Sequence, residues 1–366
     1  MLVTVIAFIL ILSVLVLIHE LGHFLVAKKL GIKVEEFGIG FPPRAWGKKI
    51  GETTYSINWL PVGGFVKLFG EDDAGGGKVG KSVVMSSGDV ERAYYARPLW
   101  QRMSVVTAGV VMNFVLAVVV ISFLFATQGV PLPTEHVKVT EVSHQSPAEI
   151  AGLRPGDQVI SMNGVVLKDS NKFISETQKH KGKEVTLIVV RDGQEFATKI
   201  TPRANPPKGQ GAMGVAITNI EVKKYSWFEA PFYGTMEAAK FSLVILQGLV
   251  SMIGDFVLHG VKPQGVAGPI GVAQLTGEAV RAGWFAVLWF LSLLSLNLAV
   301  LNILPIPALD GGRFFFMIIE MVTGKKVSPK YEAIAHGAGL VALLALMALI
   351  TVFDVARLIQ GKSILP

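Results

Sequence analysis

The chain has 366 residues, of which 51% are hydrophobic and only 17% charged, with no cysteine and a formal net charge of +7. A charged share well below the roughly 25% of soluble domains points to a bilayer, and the missing cysteines exclude disulfide frameworks and thiolate metal sites. The positive balance suits an anionic membrane surface, and no nucleic acid partner is expected from so apolar a chain.

Four stretches hold the roughly 20 apolar residues that a helix needs to cross about 30 Å of hydrocarbon. They are 2–27, 105–125, 284–306 and 337–353. The leading stretch has no basic n-region and no small-residue cleavage site, so it reads as a retained span. Its strongly polar groups are His19, Glu20 and His23. Next come strand-like residues 34–69, where Tyr55, Ile57 and Trp59 alternate and Gly63-Gly64 bends the chain. Aromatic residues this close to a span suggest a hairpin dipping into the membrane interface. Residues 70–97 are glycine-rich and polar and read as a flexible loop.

After the second span, 134–203 has the composition of a small soluble domain. Strands are expected at 137–142 and 158–167, a helix from the Asp169 cap to Lys179, and a hairpin across Asp192-Gly193. Residues 241–258 are a weaker span candidate, because they hold Gln247, Gly248, Gly254 and Asp255. Lysines and arginines crowd the segment between the first two spans and that between the last two. Both are therefore expected to be cytoplasmic, with the N-terminus outside.

The expected fold class is a polytopic α-helical membrane protein with four transmembrane helices, a membrane-associated β-hairpin and one extracytoplasmic PDZ-like α/β domain. The expected divisions are a first transmembrane helix (1–33), a cytoplasmic loop with the hairpin (34–104), a second transmembrane helix (105–127) and the soluble domain (128–204). An outer linker with an interfacial helix (205–283), a third transmembrane helix (284–312), a cytoplasmic loop (313–336) and a fourth transmembrane helix with tail (337–366) follow.

His19-Glu20-Leu21-Gly22-His23 is an H-E-x-x-H pattern. Histidines four apart share a helix face, so both imidazoles can bind one metal ion, and Glu20 can take a proton from a water that the metal acidifies. In an apolar span each ionisable group costs at least about 2.5 kcal/mol on insertion scales, so three together argue for function. A catalytic zinc needs a third protein ligand and an open position. Asp310, in Leu304-Pro305-Ile306-Pro307-Ala308-Leu309-Asp310-Gly311-Gly312, lies at the matching depth. Were 241–258 to span, Asp310 would sit about 30 Å from the histidines, across the hydrocarbon, so that segment is expected on the outer side. His136, His144, His180, His259 and His336 lack partners at ligand spacing and are left outside the site.

HELGH in the first span, an NxxPxPxLDGG-like sequence in the third, RPLWQR at 97–102, Ala108 to Phe114 in the second span and Gly268-Pro269-Ile270-Gly271 together resemble the site-2 protease family. The match covers nearly the whole chain and looks closest to the RseP-like bacterial branch. The resemblance implies an intramembrane Zn2+ metalloendopeptidase of the bacterial inner membrane. Its substrates would be single-span membrane proteins of the anti-sigma-factor or remnant-signal-peptide kind. It implies His19, His23 and Asp310 as zinc ligands, Glu20 as catalytic base, and Asn297 and Asn302 as holders of substrate or oxyanion. Asn113 would be a structural polar residue. Apart from the resemblance, a substrate helix unwound at the site is expected to pair as a strand with the edge near Tyr55 to Phe69, where Gly63, Gly64 and Phe65 would meet it.

Ser146-Pro147-Ala148, Gly152 to Asp157 and Ile160 to Gly164 resemble a bacterial PDZ domain, which would bind a peptide or periplasmic protein or filter substrates by size. Two departures stand out: Val110-Val111 replaces a Gly-Pro-like pair, and one soluble module stands where some relatives carry two. The alternative is a non-enzymatic PDZ-bearing membrane receptor with a structural metal site. A zinc transporter is the third possibility, disfavoured because ionisable residues are almost absent from the other spans.

Overall fold

The computed structural model describes residues 2–71, 90–260 and 267–360. Most of the glycine-rich loop expected at 70–97 lies outside the described residues. The chain forms two compact units, Met1–Ala126 with Ser226–Pro366, and Thr127–Tyr225.

The first unit opens with α1 (Leu2–Lys29), apolar on all sides except near its end, where Lys28 and Lys29 fill the last turn and Gly31 leaves it at φ 73°. Cations at a helix C-terminus oppose its negative dipole end. Strands β1 (Val34–Ile50) and β2 (Thr53–Leu68) follow, and each folds back on the other. Phe37 pairs with both Tyr55 and Val66, while Tyr55 also pairs with Lys48. The pair therefore makes four short runs in the order 44–50, 53–58, 36–41 and 64–68. Of the edge expected near Tyr55 to Phe69, residues 55–57 are paired on both sides, so the edge next to α1 is 64–68. Phe24 of α1 fastens the layer through ring contacts with Phe37 at 5.0 Å and Tyr55 at 6.0 Å.

A 3-10 turn at Tyr94–Ala96 leads into α2 (Leu99–Thr127), which buries Val105, Gly109, Asn113, Ala117 and Ile121 on one face. In the second part of this unit come α5 (Ala230–His259), α6 (Pro269–Ala282), α7 (Trp284–Ile303), α8 (Asp310–Thr323) and α9 (Pro329–Ile359). Here α6 packs against α1, α7 and α9. Its first turn has no cap of its own, because the N-cap is Gly268. Asp354 of α9, fully buried, supplies one: its Oδ2 accepts the Gly271 N–H at 2.8 Å.

Among the described residues, five helices are long and apolar enough to cross a membrane: Leu2–Lys29, Leu99–Thr127, Ala230–Asp255, Trp284–Ile303 and Pro329–Ile359. The third of these, a weaker candidate for its polar residues and expected on the outer side, forms one unbroken helix. The expected third span, 284–312, is not one helix. It stops at Ile303, because Pro305 and Pro307 cannot donate to a helical ladder, and a new helix starts at Asp310. Helix α8 occupies much of the loop expected at 313–336, and α9 begins already at Pro329.

The second unit contains β3 (Val130–Val142), α3 (Pro147–Ile150), β4 (Gln158–Met162), β5 (Val165–Val166), α4 (Ser170–Lys179), β6 (Val185–Arg191), β7 (Gln194–Ile200) and β8 (Val215–Lys223). The antiparallel sheet runs β7-β6-β4-β3-β8, with β5 paired to β4. Val137, Val139, Val159, Met162, Leu167, Phe173, Leu187 and Val189 form its core. The Asp169 carboxylate accepts the Lys172 N–H at 2.7 Å and starts α4 where its cap was expected. The unit runs on past 204 to Tyr225, because β8 closes the sheet against β3. That pairing joins residues some eighty positions apart and has no local signature. Asp157 is buried here and holds Arg191 at both ends, Nε to Oδ1 at 2.7 Å and Nη2 to Oδ2 at 2.8 Å. Burial alone would raise the Asp157 carboxyl pKa, but the Arg191 guanidinium and the Arg154 N–H outweigh it and hold it below the usual carboxylate value.

Candidate metal centre

One helical turn separates His19 from His23 on α1, and both side chains are buried. Asp310 reaches them from the first turn of α8, with Oδ2 2.9 Å from His19 Nε2 and 3.3 Å from His23 Nε2. The two Nε2 atoms lie 3.1 Å apart. Among the described residues this is the one cluster of three side chains able to hold a metal ion.

These separations test the fit of zinc. Tetrahedral ligands at about 2.0–2.1 Å from the ion stand about 3.3 Å from one another. The electron-pair logic agrees. His23 Nδ1 lies 2.7 Å from the Val105 carbonyl, which can only accept, so the ring carries its proton there and presents a lone pair at Nε2. Asp310 Oδ2 is buried without a hydrogen-bond partner. Lone pairs facing each other at this range call for a cation between them, and the residues present fit Zn2+.

Close helix approach makes the cluster possible. A Cβ at Gly109 of α2 would lie 2.5 Å from His23 Nε2 and 2.6 Å from His19 Cε1, and a Cβ at Gly22 of α1 would meet the Ala108 carbonyl. Gly311 and Gly312, which follow the aspartate, are packed against the carbonyls of Leu304 and Ile306. The non-helical link between α7 and α8 is thus folded tightly under Asp310. Ala308 adopts φ 80°, a left-handed conformation that strains a residue with a Cβ by about 1–3 kcal/mol. Its N–H donates to His336 Nδ1 at 2.9 Å, which holds the link in place.

Glu20 follows His19 directly on α1. Its Oε2 accepts the N–H of Val66, in the edge segment of β2, at 3.0 Å. Glu20, His23, Phe65, Val66, Asp310, Arg313 and His336 line a common cavity of about 500 Å³. Arg313 pairs with Glu71 at its wall. Gly63, at φ 73°, and Gly64 are buried against Val16 and Leu17, just before the histidines.

The structure therefore brings His19, Glu20, His23 and Asp310 together, with Phe65 on the same cavity and Gly63 and Gly64 beside it. It does not bring Asn297 or Asn302 to that wall: Asn297 Nδ2 donates to the Leu293 carbonyl of its own helix at 2.9 Å. Sequence reasoning missed His336, set aside for want of a ligand-spaced partner, and the Val105 carbonyl, since a backbone acceptor has no residue signature. Gly109 was quoted only as part of a motif. Its place four residues before Asn113 was the available signal.

A family model described as Peptidase family M50 matches residues 7–346. A Clostridium perfringens relative, named provisionally as a zinc metalloprotease, is 34% identical over 344 residues, covering 94% of this chain and 96% of its own. The regulator of sigma-W protease RasP of Bacillus subtilis is 31% identical over 424 residues, covering 97% of this chain and 99% of its own. The PDZ domain of an SdrC-like protein from Listeria monocytogenes aligns at 25% identity with TM-score 0.21, over 24% of this chain and 93% of that one.

Proposed function

The chain belongs to peptidase family M50 and is a zinc metalloprotease, and from that premise we propose that it cleaves single-span membrane proteins at or within their apolar segments. The observation that carries the reading is the cluster of His19, His23 and Asp310 beside Glu20, with both histidines and the glutamate on a helix apolar enough to cross a membrane. In this reading His19, His23 and Asp310 hold the zinc, which supplies an acidified water and a polarised carbonyl. Glu20 receives a proton on its carboxylate and returns it to the leaving amine.

A substrate helix hides its scissile carbonyls in its own hydrogen bonds, so it must unwind first. The edge at 64–68 offers the unwound segment a strand to pair with, beside Gly63, Gly64 and Phe65. The Val66 N–H, held by Glu20, is the donor such a strand would claim. The name of the Bacillus subtilis relative, regulator of sigma-W protease, favours regulatory substrates of the anti-sigma-factor kind.

The proposed topology keeps four crossing helices, with the N-terminus and the PDZ-like unit outside and the cut toward the cytoplasmic side. The Asp354 cap supports it. Residue 354 lies 25 residues beyond the start of α9, about 38 Å along a helix and hence at its far end. The start of α6 is tied to that outer end, so α5 begins and finishes on the outer side.

The test is Glu20→Gln in the purified full chain, with a single-span peptide as substrate. Zinc content should remain at one ion per chain while cleavage falls by at least about a thousandfold. Cleavage at the wild-type rate would remove Glu20 from the mechanism.

A further inference from the structure

Helix α2 meets the histidine pair at matching intervals. Val105 faces His23, Asn113 faces His19 at 3.3 Å between Nδ2 and Nδ1, and Gly109 sits between them under both rings. Residues 105, 109 and 113 are successive turns on one face of α2. They answer the one-turn spacing of residues 19 and 23 on α1.

A histidine that ligates through Nε2 keeps its other proton on Nδ1, and that proton needs an acceptor. His23 has one in the Val105 carbonyl. His19 has only Asn113, which is fully buried and whose Oδ1 finds no hydrogen-bond partner while Nδ2 faces the ring. A half-turn of the carboxamide about Cβ–Cγ exchanges its two ends with no change of shape. The oxygen then accepts the Nδ1–H of His19, and the Nε2 lone pair is directed at His23 and Asp310. Ser295 of α7 fixes this turn of α2, donating from Oγ to the Asn113 carbonyl at 2.7 Å.

We propose that Asn113 is a positioning residue of the metal centre. Its Oδ1 accepts from His19 Nδ1–H and holds that imidazole in the tautomer that ligates. The proposal rests on His19 being a ligand, as read above. It makes the oxygen end of the side chain the essential one. Aspartate, an acceptor only, should therefore replace asparagine, whereas leucine, of similar size with no acceptor, should not.

The test compares wild type, Asn113→Leu, Asn113→Asp and His19→Ala as full chains in detergent. Zinc affinity is read by competition with a chromophoric chelator, and the thermal midpoint of each metal-stripped chain reports folding. Asn113→Leu is expected to bind zinc about 10–100-fold more weakly, and Asn113→Asp to stay within about threefold of wild type. Wild-type affinity in Asn113→Leu overturns the proposal. So does a loss in Asn113→Asp, the decisive variant should the leucine chain fail to fold, because it would assign the nitrogen end. Undiminished affinity in His19→Ala would instead overturn the ligand assignment beneath it.

Discussion

At the scale of single residues, the candidate metal centre depends on what is missing as much as on the side chains gathered there. Gly109 has no side chain because two imidazoles occupy the space where one would be. Gly109→Ala should therefore displace His19 and His23 and lose bound zinc, measured as metal content of the purified chain, with secondary structure by circular dichroism unchanged. Asp157 in the other unit gives a prediction with a pH sign. Its carboxyl pKa is lowered on folding by Arg191, so its contribution is fully present above the unfolded value of about 3.9 and is lost as pH falls through the lower folded value. Asp157→Asn should lower hydrogen-exchange protection around β4 and β6 at pH 7, and the deficit should shrink below about pH 4.

At the scale of elements, the edge segment 64–68 reaches Glu20 of α1 through the backbone N–H of Val66. Val66→Pro removes that N–H and leaves the side-chain environment apolar. We expect about a tenfold fall in kcat/KM on a single-span peptide with zinc content unchanged. An unaffected kcat/KM would argue against strand pairing there. How much of this was legible follows from how local each signal is. His19, Glu20 and His23 share one helical turn, and the Asp169 cap and the Asp192-Gly193 turn are decided within four residues, so sequence pattern sufficed. The double pairing of β1 and β2 escaped notice because a two-residue period does not state which neighbours a strand takes. The break between Ile303 and Asp310 was half visible in Pro305 and Pro307, but the inward fold of the link depends on Gly311, Gly312 and His336, contacts made only in three dimensions. β8 was lost to a linker for the same reason.

At the scale of the whole molecule, the number of crossing helices fixes the side of the membrane on which Asp310 lies. Among the described residues hydropathy admits five, and the hydrogen bond between Asp354 and Gly271 favours four. The chain lacks cysteine, so single cysteines report position without background. Cysteines placed at His180 and His259 should both react with a membrane-impermeant maleimide in intact cells, and one at Lys325 only after permeabilisation. Protection of the His259 cysteine in intact cells would make α5 a fifth span and move Asp310 to the wrong side.

The cap on α6 also sets an order of assembly. Gly271 and Asp354 are 83 residues apart, so the ribosome must complete nearly all of α9 before the first turn of α6 can be satisfied. Until then α6, which packs against the helix bearing the histidines, starts with its Gly271 N–H unmatched by the Asp354 carboxylate. A nascent chain could present the whole HELGH helix to the membrane and still lack a settled bundle around it. Proteolytic competence would then arrive late in synthesis, which would spare neighbouring membrane proteins from a half-made enzyme.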